Sequence, residues 1–217
     1  MRWIAFAAPL LMTAPLLAQH IVLDDFDTDP NDEAGGTREV SAAVGLNPYN
    51  QPSSFGVDTG FSFDSISGAA IFNSGIGVNQ TGTINWDNNG AGLEFNAAGL
   101  GVVGFELDFL QVDQAFDVRI NLETFGFNPN GTITAVSTIE ASTAPFTAFV
   151  SLNDFVVPDG SGFTPFRVDA FTVIFNDRAN PTTSLDFILT EFRAVVPSPA
   201  TTGLLGLGGL IATRRRR

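Results

Sequence analysis

Phe105-Glu106-Leu107-Asp108-Phe109 and, a few residues later, Phe116-Asp117-Val118-Arg119-Ile120-Asn121-Leu122-Glu123 decide the fold. In both runs every second residue is large and apolar, and the residue between is charged or carries an amide. Successive side chains of a strand point to opposite faces. This period of two therefore predicts strands with one face on a core and the other in water. A single wet face is the habit of antiparallel sheets.

Working outward, residues 126–131, with Asn128-Pro129-Asn130, predict a hairpin connection. The β-branched residues 132–139 predict the next strand. Residues 146–152 read as another, and Phe171, Val173 and Phe175 alternate within 167–176. Leu185, Phe187 and Leu189 alternate through a last strand ending near Val195. Upstream, residues 21–26, 61–63 and 69–78 are candidate strands. A short strand at 83–86 lies inside an Asn/Gly-rich turn region, and residues 93–95 follow it. Residues 45–60, with Pro48 and Pro52, read as irregular. No segment between the termini carries a helical period. The prediction is an all-β chain, an antiparallel β-sandwich of roughly eight to ten short strands, and specifically a jelly roll. No internal repeat points to a propeller or solenoid.

The two ends read as addresses. Met1-Arg2 is a basic start, residues 3–17 are apolar with Pro9 and Pro15 inside, and Ala18 is small enough for cleavage. Residues 1–18 are thus expected to be a signal peptide, with its apolar stretch the signal helix. At the other end, Pro197-Ser198-Pro199 precedes a Gly/Leu-rich apolar run over 201–213, and Arg214, Arg215, Arg216 and Arg217 close the chain. As a helix those 13 residues rise only about 20 Å against roughly 30 Å of hydrocarbon, so the run predicts a short transmembrane helix. The four arginines favour the cytoplasmic side. The expected organisation is a signal peptide over 1–18, a β-sandwich domain over 19–196 and a sorting tail over 197–217.

That tail, Val196-Pro197-Ser198-Pro199-Ala200-Thr201 followed by the Gly/Leu run and the arginines, resembles the PEP-CTERM sorting signal of exported bacterial proteins. Ser198 stands where that family has Glu. The resemblance implies an exosortase-like enzyme cutting near the Pro-x-Pro motif. It implies export, transient holding in the inner membrane, and release toward the cell surface or extracellular matrix. The export machinery and that processing enzyme are the partners it implies.

Composition narrows the chemistry. Five of the 10 basic residues, Arg2 and the four terminal arginines, lie in the two signals, and all 23 acidic residues lie between them. The body therefore carries five arginines and a net charge of −18. Such a surface repels nucleic acid and anionic lipid, and it favours solubility and divalent cations. There is no lysine and no cysteine, so no disulfide holds the exported fold together. The 21 phenylalanines supply the packing instead.

His20 is the only histidine. A Ser-His-Asp triad, a thiol nucleophile, a lysine Schiff base and a histidine zinc site are excluded on composition. Gly99-Leu100-Gly101 lacks the third glycine and the flanking helix of a dinucleotide loop. Carboxylates remain. Glu94, Glu106, Asp108, Glu123 and Glu191 could supply the facing pair of a glycosidase, or they are the wet positions of alternating strands. No catalytic residue is assigned.

The dense acidic stretch Asp24, Asp25, Asp27, Asp29, Asp32, Glu33 offers hard oxygen ligands suited to Ca²⁺, or is a solvated turn. It is no EF-hand, since Pro30 stands where that loop needs glycine and Gly36 where it needs Glu. For sugars, Trp86 and Tyr49 are the natural flat rings. Trp86 sits within Asn85-Trp86-Asp87-Asn88-Asn89, where it either faces a ligand or plugs one end of the sandwich.

The body also resembles the galactose-binding-like jelly rolls of secreted carbohydrate-binding domains. The resemblance rests on Val22-Leu23-Asp24-Asp25-Phe26, Gly104-Phe105-Glu106-Leu107-Asp108-Phe109 and Leu185-Asp186-Phe187-Ile188-Leu189. It implies a structural calcium, with Asp25, Asp27 and Asp186 as ligands. The expected function is a structural or adhesive protein of the cell surface or matrix, without catalysis. The alternatives are a carbohydrate-binding module that takes extracellular polysaccharide and, third, a polysaccharide-acting enzyme.

Overall fold

The structure, a computed structural model, describes residues 19–26, 38–44, 60–64, 68–87, 90–125, 131–157, 162–177 and 181–197. His20–Val196 form one compact unit. The terminal segments, with the expected signal helix, Ser198, Pro199, the apolar run and Arg214, Arg215, Arg216 and Arg217, lie outside the described residues. No helix among the described residues is long and apolar enough to cross a membrane.

Eleven strands are described: β1 (Gln19–Asp24), β2 (Arg38–Val44), β3 (Gly60–Asp64), β4 (Ala69–Asn73), β5 (Gln80–Trp86), β6 (Gly104–Val112), β7 (Phe116–Thr124), β8 (Gly131–Ile139), β9 (Phe146–Ser151), β10 (Ala170–Phe175) and β11 (Asp186–Val196). They form two sheets. One runs β3-β4-β11-β6-β9, with β1 also on β11; the other runs β2-β5-β10-β7-β8. From β4 onward the chain lays down β4-β11-β6-β9 in one sheet and β5-β10-β7-β8 in the other. That is the order two nested Greek keys give, so the β-sandwich is a jelly roll.

The alternating runs become β6 and β7, with β7 inward at every second residue as expected. Three expectations shift. The candidate strand over 69–78 ends at Asn73, ahead of Gly75 and Gly77, which take positive φ. The short strand at 83–86 starts earlier, at Gln80, because pairing with β2 and β10 supports its Gln80-Thr81-Gly82 first half. Residues 93–95 form no strand. Only Phe95 pairs, in an isolated bridge with Val168, before a single helical turn α1 (Ala97–Leu100) capped by Asn96.

Phenylalanine fills the space between the sheets, and β11 carries two of its hubs. Phe187 lies 5.0 Å from the Phe72 ring, 5.1 Å from Phe116 and 5.0 Å from Phe175. Further along, Phe192 lies 5.1 Å from Trp86, with Phe105 and Phe171 around it. Phe116, Phe175, Phe171 and Trp86 belong to the opposite sheet, so each hub joins the two layers.

Candidate functional site

Trp86 ends β5 facing inward and is 1 % exposed. Its indole Nε1–H donates to Asp24 Oδ2 at 2.8 Å, and Asp24 is itself buried. The other oxygen, Oδ1, accepts the Phe26 N–H at 2.8 Å, holding Phe26 at a positive φ. Trp86 is thus the plug of the two readings open in the sequence, and its ring offers no platform to a ligand. Tyr49 lies outside the described residues.

The carboxylates separate into several places. On the outer face of the six-stranded sheet Arg193 gathers three of them. Its Nε donates to Glu106 at 2.7 Å, and its Nη1 donates to Glu191 at 2.9 Å and to Asp108. Burial pulls the Arg193 pKa down, but Glu191, Glu106 and Asp108 outweigh it and hold the guanidinium above the ordinary arginine value. His20 Nδ1 stands 3.2 Å from Glu106. Glu94 is exposed in a loop beside Arg167, and Glu123 faces outward from the other sheet. Three of the five are thus tied to one arginine, while Glu94 and Glu123 flank the 167–170 segment from either side.

Of the calcium candidates, Asp27 lies outside the described residues. Asp25 follows β1 and Asp186 opens β11. The Asp186 N–H donates to Asp113 Oδ1 at 2.7 Å. Among the described residues no group of three His, Asp or Glu comes together to hold a metal. The residue is exposed overall, yet partial desolvation of its carboxyl, and then the nearby Asp113 charge, push the Asp186 pKa up; the Ser74 N–H works against them. A raised folded-state pKa means the folded protein holds this proton more tightly than the unfolded chain. The stabilisation is present at low pH and is lost as pH rises from the usual aspartate range through the raised value. Asp186→Asn is therefore expected to raise the melting temperature at neutral pH and to leave it unchanged near about pH 3. Thermal unfolding across that range checks it, and an equal gain at both ends would remove the charge explanation.

The outer face of the five-stranded sheet is the candidate site. Strand register sets Thr172 opposite both Asn85 and Asn121, and Asn121 opposite Thr134. Four strands thus contribute one continuous row, Asn85-Thr172-Asn121-Thr134, which spans about 14 Å at the usual strand spacing of about 4.8 Å. The Thr172 hydroxyl donates to Asn85 Oδ1 at 2.8 Å, and the Thr134 hydroxyl donates to Asn121 Oδ1 at 3.0 Å. Those bonds occupy the amide oxygens and leave both amide Nδ2 groups to donate outward. Glu123 Oε1, 3.4 Å from the Thr172 hydroxyl, flanks the row on one side. Arg119, paired with Asp177 at 2.6 Å, flanks it on the other. Asn121 and Asn85 were visible in the sequence as a wet strand position and as part of the Trp86 amide cluster. Thr172 and Thr134 carried no signal of their own, because only pairing brings them beside the amides.

No family model and no curated protein matches the chain. Among solved structures it is similar to the family 11 carbohydrate-binding module from Clostridium thermocellum in complex with a β-1,3-1,4-mixed-linked tetrasaccharide. The identity is 12 %, over 82 % of this chain and 96 % of that one, with a TM-score of 0.45. It is similar to the family 11 module of the cellulosomal cellulase Lic26A-Cel5E of Clostridium thermocellum, at 10 % identity over 83 % and 96 %, TM-score 0.44. It is also similar to the solution structure of CtCBM11, at 13 % identity over 85 % and 98 %, TM-score 0.47.

Proposed function

We propose that this chain is an exported, non-catalytic β-sandwich that binds a neutral polysaccharide on the outer face of its five-stranded sheet. The binding module thus takes precedence over the structural or adhesive role also expected from the sequence. The observation that carries the reading is the Asn85-Thr172-Asn121-Thr134 row. Sugar hydroxyls are both donors and acceptors, and amides and hydroxyls at strand spacing offer both along one line. A body charge of −18 repels anionic glycans, which leaves neutral ones. The leader and the Pro197-Ser198-Pro199 tail support an extracellular setting, with transient membrane anchoring and exosortase-like processing part of the same proposal.

Asn121→Ala removes one outward amide at the centre of the row and leaves the core untouched. Affinity electrophoresis through a panel of neutral glucans, xylans and mannans is expected to retard the wild type in at least one. Retardation is expected to fall by about tenfold in apparent affinity in Asn121→Ala, since a lost hydrogen bond of about 1–1.5 kcal/mol corresponds to that factor. Full mobility of the wild type in every glycan, or an unchanged affinity of the variant, would sink the assignment.

A further inference from the structure

We propose that Gln19, freed as the first residue when the leader is removed, closes on itself to pyroglutamate and so seals the chain end that β1 presents. The inference rests on the exported reading above, because it needs the cut after Ala18. β1 begins at Gln19, the residue that follows Ala18. Gln19 is exposed, and its side-chain amide makes no hydrogen bond among the described residues. Neighbouring side chains of a strand point to opposite faces, so Gln19 faces away from His20, whose Nδ1 stands 3.2 Å from Glu106. The amide is thus left to meet its own chain end.

The step is internal to one residue. The unprotonated α-amine attacks Cδ of the Gln19 side chain. An N–Cδ bond forms and the Cδ–Nε2 bond breaks. The amide nitrogen leaves as ammonia, taking one proton from the attacking amine. No oxidant, reductant or second substrate enters. An ordinary α-amine has a pKa of about 8, so part of it is neutral and nucleophilic near neutral pH.

The fold shows what the closure protects. Along β1, Gln19, His20 and Val22 are exposed and Ile21 is half-buried, and only Leu23 and Asp24 are buried. Asp24 accepts the Trp86 indole N–H and the Phe26 N–H, the tie described above. Gln19–Val22 are therefore all that separates the chain end from that tie. Among the described strands β1 pairs with β11 alone, and a chain without cysteine has no disulfide to pin its end. Exposed chain ends are where trimming concentrates. The lactam leaves no free amine for an aminopeptidase to grip, and it removes the positive charge of the terminus.

Mass spectrometry of the full chain, freshly secreted by an exporting bacterial host, tests it. The readout is the tryptic peptide that ends at Arg38, the first basic residue after the leader. The expected peptide begins at Gln19 and lacks the mass of one ammonia. Its end is expected to resist a general aminopeptidase and to open to pyroglutamyl aminopeptidase. Gln19→Ala is expected to show no ammonia loss and to be trimmed from its exposed end by the general aminopeptidase. A peptide that begins at Gln19 with its full mass overturns the inference and leaves the exported reading standing, as does a leader cut at any other residue. A chain that still carries residues 1–18 overturns both.

Discussion

Phe187→Ala is expected to lower the unfolding free energy by about 3–5 kcal/mol, the range for removing a fully buried phenylalanine side chain. Phe187 sits between β4 and β6, paired in register with Phe72 and Val112, and is 1 % exposed. Its ring touches Phe116 and Phe175 of the opposite sheet, so the cavity would open at the joint between the layers. Those neighbours are themselves held by strand pairing and cannot move in to fill it, which places the cost toward the top of the range. For a domain of this size each kcal/mol is worth roughly 2–4 °C, so the melting temperature should fall by about 10 °C or more. Ile188→Ala, one residue along on the half-buried outer face, should cost clearly less. Urea unfolding with an unchanged m-value reads both. Equal losses at the two positions would contradict an interior assigned by alternation.

The second large effect is at Asp24. Asp24→Ala is expected to cost about 2–5 kcal/mol, because two donors, Trp86 Nε1–H and Phe26 N–H, lose an acceptor inside the protein at about 1–3 kcal/mol each. β1 belongs to one sheet and β5 to the other, so this carboxylate ties the layers together across 62 residues of sequence. Trp86→Phe keeps an aromatic ring beside Phe192 and removes the donor together with part of the ring, a cavity cost that is common to the single and double variants and cancels in the cycle. Asp24→Ala, Trp86→Phe and the double variant form a cycle whose coupling is expected to exceed about 1 kcal/mol. Chemical denaturation of the four proteins measures it, and simple additivity would mean that the hydrogen bond contributes nothing to stability.

Much of the sandwich was legible in the chain. β6, β7 and the core face of β11 follow from alternation, and β7 pairs with β8 as expected, while the Asn128-Pro129-Asn130 turn lies outside the described residues. The first half of β5 was hidden because Gln80 and Gly82 are weak strand formers taken alone and sit inside a turn-rich stretch. They are strand because β2 and β10 flank them on both sides. Residues 93–95 failed the other way: Leu93 and Phe95 pack against the core, yet the chain turns away into α1 after one bridge. At Trp86 the sequence left a sugar platform and a plug both open, because an aromatic among amides suits either. The same neighbourhood suits a buried indole whose one polar atom needs a partner, and Asp24 supplies it.

What the sequence determined by itself is the alternation of wet and dry positions. It also determined the acidic, cysteine-free and nearly histidine-free composition that removes most catalytic chemistry. Both are properties of single residues and their immediate spacing. What only the tertiary structure decided is which wet residues stand together. The partners in the Asn85–Thr172 hydrogen bond are 87 residues apart, as are those in the Arg193–Glu106 ion pair. A period of two fixes which face a side chain takes but not which strand lies beside it. That depends on register and on the jelly-roll order, which are set by the packing of both sheets at once.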